Sequence, residues 1–238
     1  MANKAQRGVF VSFEGGDGAG KTTHMRYLAN ALKKGGFEVL CLREPGGTSI
    51  GEKLRSVVLD PGNDARCAEC ELLIYEAARA QIVHQVIEPA LARGAVVLCD
   101  RFTDSTVAYQ SFGRGISRDV VERANAFADS GLSPDRTILM LTGGDVQEGL
   151  ERVRGRGSSD RLELESAQFH ERVNAGFLQM ASEQPERIRL VASDESKPET
   201  ARKVFSELSD LFAWIDDDLL ADESYFEQLV VEDEAEKA

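Results

Sequence analysis

Long hydrophobic runs are missing from this 238-residue chain. Its strongest apolar stretches, such as Ala95–Cys99, are of strand length, whereas a membrane-crossing helix needs about 20 apolar residues, so a spanning protein is excluded. Histidine is scarce, with His24, His84 and His170 far apart, and cysteine is limited to Cys41, Cys67, Cys70 and Cys99. Cys67 and Cys70 form a C-x-x-C pair, but no second C-x-x-C or H-x3-H accompanies it, so a structural zinc site would lack half its ligands. The pair reads as two cysteines at a helix start. Met1–Gly8 has no apolar segment of the kind a secretory signal carries, which with the few thiols implies a cytoplasmic protein with reduced cysteines. Positive charge is also short: 28 Lys and Arg stand against 41 Asp and Glu, a net charge of −13. Binding to nucleic-acid polymers draws chiefly on phosphate neutralisation, so that class of partner does not fit.

The negative charge is unevenly placed. Ten acids against Lys237 alone put −9 on residues 216–238, leaving −4 on residues 1–215. The tail contains Leu219, Leu220, Tyr225, Phe226, Leu229, Val230 and Val231, enough for an amphipathic helix, but its acidic excess favours a mobile extension. Before it, strand-like and helix-like segments alternate. Val9–Glu14, Phe37–Leu42, Ala95–Cys99, Ile138–Leu141 and Ile188–Val191 read as strands. Helical spacing covers Thr22–Lys34, Ile50–Leu59, about Glu69–Ala92 and Pro198–Ile215. Five strands separated by helix-length stretches predict βαβ units, hence one α/β domain over residues 1–215 with a parallel sheet covered on both faces.

Between the first strand and the first helix lies Gly15-Gly16-Asp17-Gly18-Ala19-Gly20-Lys21-Thr22, which matches G-x-x-x-x-G-K-[ST] in the strand–helix context that motif requires. Glycines let backbone N–H groups cradle phosphates, Lys21 reaches the β and γ phosphates, and the Thr22 hydroxyl is placed to ligate Mg²⁺. The sequence therefore predicts binding of a nucleoside triphosphate. A GTPase would need an N-K-x-D segment, which is absent, and a motor ATPase an apolar strand ending in Asp-Glu. Here the third strand ends in Asp100-Arg101. An aspartate that supports the metal shell, followed by an arginine that forks onto a phosphate, fits transfer between two bound nucleotides.

Taken together, further motifs resemble those of the bacterial thymidylate kinases, P-loop enzymes that phosphorylate dTMP with MgATP. They run in family order over about residues 8–213: FEGGDGAGKTT at Phe13–Thr23, REPGGT at Arg43–Thr48, EKLR at Glu52–Arg55, Tyr75 with Arg79, DRF and DSTVAYQ within Asp100–Gln110, arginines at Arg152, Arg154 and Arg156 with DRLE at Asp160–Glu163, and FHERV at Phe169–Val173. The resemblance implies the three-layer α/β/α P-loop fold with five parallel strands, ATP as donor with Mg²⁺, a homodimer, and direct in-line transfer from ATP to dTMP. It implies that Asp17 meets the acceptor sugar 3′-hydroxyl or nearby metal-bound solvent. Arg55, with Arg43 or the backbone at Glu44-Pro45, would close on the acceptor phosphate, which Arg101 also positions.

Tyr75 and Arg79, four apart on one helical face, would stack on the base and hydrogen-bond its O4; the family has Phe where Tyr75 stands. Thr106 and Gln110 would lie at the base edge, with Tyr109 under the deoxyribose where a 2′-hydroxyl would need room. A lid at about 152–163 would bring Arg156 and Arg152 over the transferring phosphoryl, because Gly18 occupies the place where the other enzyme type carries a P-loop arginine. Asp160 and Arg161 would organise that lid. Glu69-Cys70-Glu71 departs from the Arg-Thr-Glu frequent in relatives and reverses the first charge. Two other readings stay open at this stage: a kinase for another acceptor such as dUMP, and a nucleotide-binding regulator that has lost transfer.

Overall fold

The computed structural model describes residues 7–142, 162, 164–193 and 195–235. Strands β1 (Phe10–Glu14), β2 (Val39–Arg43), β3 (Val96–Asp100), β4 (Arg136–Leu141) and β5 (Ile188–Ala192) form one sheet in the order β2-β3-β1-β4-β5. All neighbours pair in parallel. A parallel sheet must be covered on both faces, and the alternation of side chains along the central strands assigns them. Val11, Phe13, Val96, Leu98, Ile138 and Met140 point into one apolar cluster with helices α1 (Lys21–Lys34) and α8 (Lys197–Ser206). Phe10, Val97, Cys99 and Leu139 point the other way. On that second face lie α3 (Ala68–Ile82) and α7 (Ala167–Glu183), while α2 (Ser49–Leu59), α4 (Glu88–Ala92), α5 (Thr103–Thr106) and α6 (Arg118–Ala128) complete the path.

Three expectations change on inspection. The helix expected over Glu69–Ala92 widens into a π-type turn at Val83–Ile87, just before Pro89, before resuming as α4. The helix expected to reach Ile215 stops at Ser206; beyond it, i→i+3 bonds such as Leu208 N–H to the Phe205 carbonyl (2.9 Å) make tighter turns that still bury Leu208, Phe212 and Ile215. Most consequentially, the acidic segment does not hang free as a mobile extension. It forms α9 (Asp217–Ala221) and α10 (Glu223–Ala235), and Phe226 and Leu229 are buried. Phe226 meets Phe205 edge to face with centroids 5.4 Å apart. The acids have cations to meet: Asp233 accepts from Arg26 at 2.8 Å, Glu234 from Lys197 at 2.6 Å, and Glu232 from Lys34.

The topology also locates the crevice. The chain leaves β1 toward β2 on one side and leaves β3 toward β4 on the other, so these adjacent strands diverge at their C-terminal ends, where open α/β sheets bind ligands. Glu14 and Asp100, the last residues of the two strands, flank that opening.

Candidate active site

The phosphate loop turns sharply out of β1. Gly15 has φ +123°, and a Cβ there would lie 2.1 Å from the Met140 carbonyl, so only glycine fits. The loop wraps Lys21, whose Nζ donates to the carbonyls of Gly15 (3.1 Å) and Gly16 (2.7 Å). Burial, reinforced by Arg101, pulls the Lys21 ammonium below its ordinary pKa. At the start of α1, the Thr22 hydroxyl donates to Asp100 Oδ2 at 2.6 Å. Two hard oxygen donors are thus held together beside the loop, the chemistry that suits Mg²⁺.

Arg101 follows Asp100 and adopts φ +74°, a left-handed conformation uncommon outside glycine. This turn aims its guanidinium back at the loop. It donates to Asp17 Oδ1 (2.5 Å), the Gly15 carbonyl (3.2 Å) and Ser105 Oγ (3.3 Å), and lies over the Tyr109 ring at 5.2 Å. Burial opposes ionisation of Asp17, but Arg101 and Lys21 outweigh it and hold the carboxyl below its usual range. That answers how an acid is tolerated inside a phosphate loop: a guanidinium faces it directly.

Beyond Asp17 opens a cleft of about 760 Å³, counted to its solvent mouth. Of the residues nominated from sequence, Asp17, Glu44, Arg55, Tyr75, Arg79, Arg101, Thr106, Tyr109 and Gln110 line it, together with Pro45, Leu59, Phe102, Ser105 and Leu162. The α3 helix supplies Tyr75 and Arg79. The π-type turn at Val107–Gly113 continues α5, so that Thr106, Tyr109 and Gln110 come to one side. Arg55 Nη1 donates to the Pro45 carbonyl at 2.8 Å, and the Glu44–Pro45 bond is cis. Arg43 is not part of the lining; it pairs with Glu52 at 3.1 Å. Of the two options at that loop, the Glu44–Pro45 segment is the one at the cleft.

Among the described residues that line the cleft, Arg79 makes the most hydrogen bonds. It is 2% exposed and donates to Glu44 (2.7 and 2.9 Å), Glu76 (3.0 Å), Thr106 (2.8 Å) and Asn125 (2.8 Å). Burial disfavours the cation, yet Glu44 and Glu76 hold its pKa above the ordinary arginine value. Burial in turn pushes the Glu44 carboxyl up to about 7 despite Arg79. Glu14 also rises to about 7, through burial and the nearby Asp104, while its carboxyl oxygens accept from Phe102 N–H (2.7 Å) and Ser105 Oγ (2.6 Å). Glu14, Glu76, Asn125 and Arg114 had no sequence signal of their own as site residues, and Ser105 and Glu71 lay inside quoted motifs with no role attached. Glu76 meets Arg79 three residues away, but the others act through partners distant in the chain, and a polar residue at the end of an apolar strand, as Glu14 is, offers the one local hint.

Glu69 lies exposed in the first turn of α3, where a negative charge meets the positive helix end. Cys67 is the N-cap of the same helix, and both it and Cys70 are exposed free thiols. The lid residues Arg152, Arg154, Arg156, Asp160 and Arg161 lie outside the described residues.

Comparison with known proteins gives a consistent set of likenesses. A family model described as thymidylate kinase matches residues 13–204. The thymidylate kinase of Trichlorobacter lovleyi is 49% identical over 189 residues, covering 77% of this chain and 88% of that protein. That of Geobacter sulfurreducens is 46% identical over 203 residues, covering 83% and 94% respectively. Among solved structures, the thymidylate kinase from Ehrlichia chaffeensis superposes with a TM-score of 0.68 at 29% identity, over 85% of this chain and 99% of that one.

Proposed function

This chain belongs to the thymidylate kinase family, and on that premise we propose how its residues carry the reaction. The enzyme transfers the γ-phosphoryl group of ATP to dTMP, yielding ADP and dTDP. In the in-line step, the bond between the γ phosphorus and the β–γ bridging oxygen breaks as one forms to an oxygen of the acceptor phosphate. The observation that carries the assignment of sites is that Asp17 belongs to both the phosphate loop and the acceptor cleft, so the two substrates meet there.

Gly15–Thr22 cradle the ATP phosphates, with Lys21 exchanging its carbonyl contacts for phosphate oxygens. Arg101 and Arg55 orient the dTMP phosphate, beside Glu44. Tyr75 stacks on the base, Arg79 and Thr106 address its edge with Gln110, and Tyr109 fills the space beneath the sugar. The donor pair Thr22 and Asp100 fits Mg²⁺, which when bound with ATP neutralises charge on the β and γ phosphates. Arg156 and Arg152 from the lid stabilise the transferring phosphoryl and exclude water. Such a reaction needs positioning and cationic charge rather than a strong base.

The functional unit is a homodimer. Leu73 on α3 and Phe127 on α6, packed helices, are 64% and 89% exposed, apolar surface that a second copy would cover. Light scattering at the mass of one chain would refute this. The assay that tests the kinase reading measures ADP release with MgATP and separate dTMP, dUMP, dCMP, dGMP, dAMP and UMP. Selective formation of dTDP is expected, with Arg156→Ala reducing turnover by orders of magnitude at little cost in dTMP affinity. Preference for another acceptor would overturn the base-site assignments.

A further inference from the structure

Gln110 is 2% exposed and lines the cleft, and its amide has a defined sense. Its Nε2 donates to Glu71 Oε1 at 2.9 Å. Glu71 is itself 1% exposed and held by Arg114, through Nε at 3.0 Å and Nη2 at 3.1 Å, with Arg66 Nη2 at 3.4 Å. A carboxylate paired bidentately to a guanidinium accepts hydrogen bonds and donates none. The reverse orientation of Gln110 would set its carbonyl oxygen against the carboxylate, two acceptors face to face in a buried site. Glu71 therefore fixes the amide so that the NH₂ group turns away from the cleft. The Gln110 carbonyl oxygen has no protein donor among the described residues.

We propose that Glu71 is a specificity-determining residue, acting through Gln110 to present a lone acceptor to the base. This rests on the reading of Gln110 as a base-edge residue. The Watson–Crick edge of thymine offers a donor at N3, which an acceptor satisfies; cytosine offers an acceptor at N3, which it repels. Glu71 touches no substrate and is a positioning residue. Its anchor, Arg114, also pairs with Glu165 at 2.7 Å and lies 4.7 Å from the Phe169 ring, so the carboxylate is braced from α7 as well. Arg79, a donor near the same edge, disfavours the cytosine amine independently.

The test is Glu71→Gln, assayed with dTMP, dUMP and dCMP. A glutamine at 71 both donates and accepts, so Gln110 is free to turn its NH₂ group into the cleft. The ratio of kcat/KM for dCMP to that for dTMP should rise roughly tenfold, the scale of one hydrogen bond gained and one lost. It should not reach parity, because Arg79 remains. The dUMP-to-dTMP ratio should stay unchanged, since uracil and thymine share that edge; general loosening of the site would move all three acceptors together. In a Gln110→Leu background, Glu71→Gln should leave the dCMP-to-dTMP ratio where Gln110→Leu alone puts it.

If Gln110→Leu shifts that ratio and Glu71→Gln does not, the inference falls and the base-site reading survives. If Gln110→Leu leaves acceptor selectivity untouched, the base-site reading falls and takes the inference with it. Should Glu71→Gln fail to fold, Glu71→Asp keeps the charge but shortens the reach to the amide. The same ratio should rise, and an unchanged one would overturn the proposal.

Discussion

Arg79 is a buried cation surrounded by Glu44, Glu76, Thr106 and Asn125, and each of those bonds uses the planar fork of a guanidinium. Lysine carries the same charge as a point and cannot serve four directions at once. Arg79→Lys should therefore lower stability by about 1–3 kcal/mol in urea unfolding, and raise the KM for dTMP more than that for ATP. Equal effects on both substrates would count against a base-edge role. What was legible at this scale follows chain proximity. The phosphate loop is contiguous and its spacing alone announces it; Tyr75 and Arg79 were named through the resemblance, and their spacing only puts them on one helical face. Asn125 and Glu71 were not legible, because Arg79 and Gln110 reach them across 46 and 39 residues and no local pattern encodes such a meeting.

At the scale of elements, the three central strands were readable because apolar runs buried on both faces have few other uses, and the partly buried edge strands β2 and β5 by their β-branched and aliphatic composition. The last two helices were not. Reading 216–238 by composition gives an acidic excess, and composition is blind to Arg26, Lys34 and Lys197, which wait on α1 and α8 to pair with it. The match to the family model ends at residue 204, so it gives no guidance there either. The helix α10 covers an apolar flank of α1, the helix whose first turn carries Lys21 and Thr22. Phe226→Ala should cost about 3–5 kcal/mol, as removal of a fully buried phenylalanine does. An unchanged melting temperature would show that the segment contributes no packing. The ion pairs are partly exposed, so substituting Glu234 or Glu232 should change stability far less.

For the whole molecule, strand order sets the function's location. Because β1 and β3 send their chains in opposite directions, Glu14, Asp100 and Arg101 come to one rim, while α3 and the turn after α5 wall the cleft beside it. Glu14 sits beneath that rim, its carboxyl pushed up to about 7 by burial and by the nearby Asp104. Arg101 is one of the groups holding that value down, and an arriving phosphate dianion would draw on the same guanidinium. The carboxyl would then rise further, since an added negative charge favours its neutral form. With Arg101 holding the acceptor phosphate as proposed, substrate capture would also take up a proton. Calorimetric titration with dTMP at pH 7, in two buffers of unlike ionisation enthalpy, should show a net proton count shifted toward uptake in the parent relative to Glu14→Gln, the protons released by the dTMP phosphate being common to both. Equal counts would mean that this buried acid keeps its own counsel, whereas a gap would make affinity for the acceptor weaken as pH climbs past 7.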